Sequence, residues 1–328
     1  MDHHDRFFKG VTTPADTCPT LTFSTELRTV LAIETISICL LSGIAQIPMI
    51  LATKKFAGWN SDFSFTILML MSVVALQLYI GEFIAHIRFA MDLKSSFIDQ
   101  ILGATFLTSF FTYVILDGTL ILHRVAYTFY PYSAGRVLSK TVLEIYLGFV
   151  GALHISIIAL MISPLCGYQF CPQTMKRFFT NGPLSPFLVW MNRVCNHVFG
   201  LTGLFAYVAI CVYLFARGTL RFGNNSEIRL TLQVIVMSTI GMFYFSYFEF
   251  HEMLKIPQPT ATIIYETVVL LYYNAEFAPY LLLNKTFRHE YFSCRSRHRR
   301  IATVFTVRSA KLKLSNVQEK SMLWRKRH

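Results

Sequence analysis

Charge is scarce in this chain. Only 15% of its 328 residues are Asp, Glu, Lys or Arg, against about 25% in an ordinary soluble domain. With 54% apolar residues and 30 phenylalanines, a water-facing fold would leave too much apolar surface uncovered, whereas lipid accepts such side chains on every face of a helix. The seven cysteines form no CxxC pair and no close Cys/His cluster, so no zinc site is expected. The histidines are equally scattered. His251-Glu252 and His289-Glu290 lack the second histidine of a metalloprotease helix, and there is no GxSxG or phosphate-cradling glycine loop, which removes the common enzyme signatures. Residues 1–28 have acids, histidines and two prolines but no apolar core, so they do not read as a cleavable signal peptide.

One sign of charge is in surplus, at +12 overall. From Asn284 onward there are 13 Lys or Arg and 2 acids, while the first 283 residues hold 17 bases and 16 acids. The basicity therefore belongs to the tail, and nucleic acid is not the expected partner. Its attraction is to the anionic inner leaflet.

Long apolar runs are abundant. About 20 residues suffice to cross the hydrocarbon core, and seven such stretches occur, at Thr29–Thr53, Phe63–Ala85, Gln100–Leu122, Thr141–Ser163, Val194–Ala216, Leu230–Phe250 and Ile263–Leu283. They lack the ten-residue alternation of barrel strands, so the expected fold class is an all-α membrane protein, a seven-transmembrane-helix bundle. The short loops carry nearly equal numbers of bases on the two sides. Lys285, Arg288, Arg295, Arg297, Arg299 and Arg300 decide the orientation, holding the C-terminus in the cytoplasm and the N-terminus outside at the plasma membrane.

The expected organisation is an extracellular segment over 1–28, a bundle over 29–283, an amphipathic juxtamembrane helix over 284–295 and a basic, disordered tail over 296–328. In the juxtamembrane helix Phe287 and Tyr291 are four apart, with Phe292 nearby, giving an aromatic face that would lie along the inner leaflet. Cys294 at its end is a candidate S-acylation site. Cys166 and Cys171 flank Gly167-Tyr-Gln-Phe in the second outer loop and are free to pair with each other or with Cys18. Cys39, Cys195 and Cys211 read as small packing residues.

Two junctions carry a resemblance. The third span ends Leu122-His123-Arg124-Val125-Ala126-Tyr127, with Pro131 seven residues after the arginine. The seventh reads Glu276-Phe-Ala-Pro279-Tyr280-Leu-Leu-Leu-Asn284-Lys285-Thr-Phe287-Arg288. These resemble the acid-Arg-aromatic triplet and the Asn-Pro-x-x-Tyr to Asn-Lys-x-Phe-Arg passage of rhodopsin-like G-protein-coupled receptors. His123 replaces the acid or its neighbour, Glu276 replaces the asparagine and the proline is displaced. No cysteine stands near the outer end of the third span, where Asp99 is found instead, and the fourth span has no tryptophan. A pattern with these departures is similar to the nematode serpentine chemoreceptors. The resemblance implies a small-molecule ligand, a heterotrimeric G protein as partner, no cofactor and no enzymatic activity, with Arg124 meeting the G protein.

Charged groups within a span are costly and tend to be functional. Asp117 and Arg124 lie seven apart on one helical face, and Glu276 should approach them, forming with His123, Tyr280 and Asn284 a cytoplasmic-side switch. Towards the outside, Glu34, Glu82, Glu249, Glu252 and Glu266 lie on five loci that could surround a cationic ligand. Glu82, Glu249 and Glu252 read more simply as solvated helix ends, with Arg88 and Lys255 as partners. Phe106, Tyr247, Tyr272 and Tyr273 have the depth to line the pocket. A seven-span secondary transporter is the alternative, since buried acids suit proton coupling, but no inverted repeat or matched pair of broken helices supports it.

Overall fold

The computed structural model describes residues 18, 23–57, 63–130, 132–134, 138–216, 236–237, 239–247, 250–257, 259–285 and 287–293. Within them the chain runs α1 (Thr25–Ala57), α2 (Phe63–Ala90), α3 (Ser96–Phe129), α4 (Lys140–Ile162), β1 (Gly167–Phe170), β2 (Arg177–Thr180) and α5 (Ser185–Ala216). There follow α6, described over residues 239–247, a 3-10 turn at His251–Leu254, α7 (Thr260–Ala275) and α8 (Ala278–Leu283). Residues 287–293 are helical. The side chains of residues 197–200, 211, 214, 251 and 252 lie outside the description, as do Cys294, Pro131, Glu249 and the tail over 296–328.

Five helices, α1 to α5, are long and apolar enough to cross a membrane, and the chain is a membrane-embedded helical protein. Helix is the necessary conformation for such runs, because lipid offers no partner to a backbone N–H or carbonyl. Threonine hydroxyls at two buried positions are met locally: Thr35 donates to the Leu31 carbonyl at 2.8 Å and Thr53 to that of Met49 at 2.7 Å, the usual back-bond of threonine in an apolar helix. Pro48 sits inside α1.

Helices α2 and α3 form the centre, with 61% and 72% of their most apolar windows buried, while α4 and α5 have 17% and 21%. The peripheral helices therefore present an apolar coat, including Ile145, Phe149 and Ile155 on α4 and Phe205, Val212 and Phe215 on α5, as a lipid-facing surface requires. The core they leave inside is aromatic. Tyr244 stacks on Tyr272 at 3.8 Å, Tyr113 meets Tyr273 edge-on at 4.8 Å, and Tyr79 donates to the Leu270 carbonyl at 2.9 Å.

Three local features differ from the sequence expectation. The fold is not purely α-helical: β1 and β2 form an antiparallel hairpin in register Gly167↔Thr180 to Phe170↔Arg177. A four-residue strand carries too little pattern to separate it from a loop. The seventh apolar run is not one helix, since it breaks at Glu276 and Phe277 before resuming as α8. Pro279 stands in the first turn of α8; it has no N–H to give the Ala275 carbonyl, so the α ladder stops there. Finally, the aromatic face after Asn284 turns into the bundle rather than along the lipid. Phe287 is buried against Tyr280, Tyr291 donates to the Ala45 carbonyl at 3.1 Å, and only Phe292 is exposed.

Candidate functional site

The hairpin positions the site. Gly103 on α3 makes its closest approach possible: a Cβ there would lie 2.6 Å from the Tyr168 carbonyl carbon, a distance at which backbone must move. On the other edge Ser185, at the start of α5, donates to the Thr180 carbonyl at 2.6 Å. At the tip the Cys171 N–H donates to the Lys176 carbonyl at 2.8 Å, and Cys171 is disulfide-bonded to Cys18. Of the three candidate cysteines, Cys166 is thus the one left out. It is buried and free, its thiol donating to the Leu160 carbonyl at 3.3 Å, and burial pushes its pKa up, which keeps it protonated and unreactive.

So held, the hairpin sends Arg177 down between the helices. Its guanidinium donates to both carboxylate oxygens of Glu266 on α7, at 2.8 and 2.9 Å, and to Glu82 on α2. The Phe106 ring lies 4.0 Å beneath the guanidinium carbon and Phe170 5.5 Å away, a cation–π arrangement on an apolar floor. Arg177, Glu82 and Glu266 are all buried. Burial by itself would lower the Arg177 pKa, but Glu266, Glu82 and Tyr168 outweigh it and raise it above the ordinary arginine value. The cation is therefore fixed in charge, and with Nη1 on Glu266 and Nη2 on Glu82 it is held in one orientation.

Sequence reasoning paired Glu82 with Arg88, and this is corrected. Arg88 binds Asp99 instead, at 3.0 Å through Nε and 2.9 Å through Nη2, and Asp99 also accepts from the Ser95 N–H at 3.0 Å. A buried ion pair thus ties α2 to the first turn of α3. Glu34 does not join the acids: it is exposed beside Thr267, which donates to it at 3.5 Å. Phe106, Tyr272 and Tyr273 are buried in the aromatic core, and Tyr247 is partly buried. Arg177 itself was missed. Nothing local in sequence pairs it with residues 95 and 89 positions away.

At the opposite end Tyr280 is the meeting point. Arg124, Asp117 and Glu276 all lie near enough to act on it electrostatically. Asp117 and Glu276 also interact with each other, and Glu276 reaches towards α6, where a Cβ on Gly241 would stand 3.6 Å from its Oε1. His123 turns away, stacking on Phe63 at 5.3 Å and sharing a hydrogen bond with Ser64 at 3.0 Å. Asn284 caps the final helix, its Oδ1 accepting from the Phe287 N–H at 3.0 Å. The structure thus brings together Asp117, Arg124, Glu276 and Tyr280, and leaves His123 and Asn284 in separate, local roles.

The arrangement offers two polar clusters in an apolar bundle, joined by aromatic packing. Tyr113 and Tyr273 lie between them, and among the described residues their buried hydroxyls have no hydrogen-bond partner. No protein-family model matches the chain, and comparison with curated proteins finds no significant match.

Proposed function

We propose that the chain is a ligand-activated receptor of the G-protein-coupled kind, crossing the plasma membrane seven times with its N-terminus outside and its C-terminus in the cytoplasm. The observation that carries this reading is the pair of clusters on the two ends of one bundle. The outer one is a buried acidic seat, Glu82 and Glu266, held by a cation from the chain's own loop; the inner one gathers Arg124, Tyr280, Asp117 and Glu276 where α3, α7 and α8 meet. A small cationic ligand competing with Arg177 for the seat would shift α2 against α7 and reach the inner cluster through Tyr79, Tyr113, Tyr272 and Tyr273. Release of Arg124 from Tyr280 would then offer it to a heterotrimeric G protein. The basic tail would hold the inner end against anionic lipid.

The test is a screen of small amines and guanidines in cells expressing the chain, read through G-protein activation. Arg124→Ala should abolish the response at unchanged surface expression. An undiminished response in that variant refutes the switch, and substrate flux into vesicles containing only this protein would assign the chain to transport instead.

A further inference from the structure

The Arg177 cluster holds one more group than an arginine seat needs. His86 is fully buried, one helical turn after Glu82 on α2, with its Nε2 3.5 Å from Glu82 Oε2, and among the described residues neither ring nitrogen has a hydrogen-bond partner. One donor atom each from Glu82, His86 and Glu266 lie within 4.8 Å of one another. Two carboxyl groups thus face a single guanidinium, with an imidazole beside them.

We infer that Glu82, His86 and Glu266 form a binding site for a divalent transition-metal cation of the zinc type, which exchanges with the Arg177 guanidinium. Carboxylate oxygen and imidazole nitrogen are both donors that zinc accepts, and three protein ligands leave the fourth position of an open tetrahedral site to water. Ligands about 2.1 Å from a tetrahedral ion stand roughly 3.4 Å apart, which the Glu82–His86 separation already meets; Glu266, on a second helix, need only close in. Calcium or magnesium would ask for six or more oxygens and make no use of the imidazole. An ion and Arg177 claim the same oxygens, so metal enters as the hairpin withdraws, and the hairpin is the gate. No sequence motif announces this site, because its ligands are split between α2 and α7. The inference concerns binding alone and stands whether or not the chain signals.

The experiment is equilibrium dialysis of the full chain in lipid nanodiscs against zinc, with the metal counted by elemental analysis. Arg177→Ala removes the competitor and should tighten one equivalent by tenfold or more, and adding His86→Gln in the same background should remove that equivalent. Equal stoichiometry with and without His86→Gln means that zinc binds elsewhere, on surface histidines or thiols, and overturns the inference. If Arg177→Ala does not fold, the wild-type chain against His86→Gln at saturating zinc carries the same comparison: one equivalent fewer is expected, and no difference overturns it.

Discussion

Arg177→Met should unfold the outer half of the bundle far more than the loss of one loop residue would suggest. Methionine keeps part of the aliphatic stem but removes the guanidinium that lies over Phe106 and leaves Glu82 and Glu266, both almost wholly buried, facing each other without a cation. Removing one partner of a buried ion pair costs about 3–5 kcal/mol, because the other charge remains desolvated. At roughly 2–4 °C per kcal/mol for a chain of this size, the melting midpoint falls on the order of 10 °C. The assay is built into the molecule: Cys39 and Cys166 are buried free thiols, so a dye that fluoresces on reacting with thiols reports unfolding in detergent or nanodiscs. The decisive comparison is the triple variant Arg177→Met with Glu82→Gln and Glu266→Gln. Replacing every member of a buried ionic group removes the uncompensated charge and is often close to neutral, so most of the lost stability should return. A single variant that melts with wild type, or a triple variant that melts no higher than the single, refutes the reasoning.

The hairpin's other fastenings can be tested separately. Cys171→Ser opens a disulfide that closes 153 residues of chain and should cost about 3–5 kcal/mol, seen as a lower thermal midpoint, whereas Cys166→Ser should leave the Cys18–Cys171 linked peptide intact in non-reducing mass spectrometry. Gly103→Ala places a methyl against the Tyr168 carbonyl and should lower stability by about 1–3 kcal/mol, with faster proteolysis between β1 and β2; an unchanged cleavage rate would contradict the close packing. The exposed contact of Lys55 with Glu290 gives a pH dependence. The hydrogen bond from Lys55 holds the Glu290 pKa below its ordinary value, so this contact helps above the ordinary carboxylate range and is lost as pH falls through the lowered pKa. The hydrogen-exchange protection factors over residues 287–293, corrected for the intrinsic pH dependence of exchange, should therefore fall at acid pH, and Glu290→Gln should abolish that pH step.

Much of this architecture was legible because lipid leaves so few options. Long apolar runs must be helical, and the predicted starts and ends of the first five fall within or close to α1 to α5. What escaped was long-range or local in a special way. Glu266 and Glu82 were singled out as charges near an outer pocket, but their partner comes from a loop 89 residues before one and 95 after the other, and no periodicity encodes such a meeting. The break at Glu276 was legible in principle, since Pro279 was read as displaced, yet its effect on the backbone three residues earlier was not drawn. The inner cluster was visible because Asp117 and Arg124 share a helical face. His123 and Asn284 were grouped with it by proximity in sequence, whereas their side chains serve the packing of Phe63 and the cap of the last helix.

Two fastenings at the hairpin end of the bundle differ in kind. The Asp99 carboxylate binds Arg88 and so ties α3 to α2 rather than to the hairpin. The loop's cysteine, Cys171, is bonded to Cys18 instead, leaving the hairpin's grip on the helices to Arg177 and the close approach at Gly103. A covalent anchor to a helix cannot be displaced by a ligand, but an ion pair can, at a cost that a competing cation recovers by taking the same carboxylates. On the proposed function, the loop is then a cover whose position would depend on which cation occupies Glu82 and Glu266.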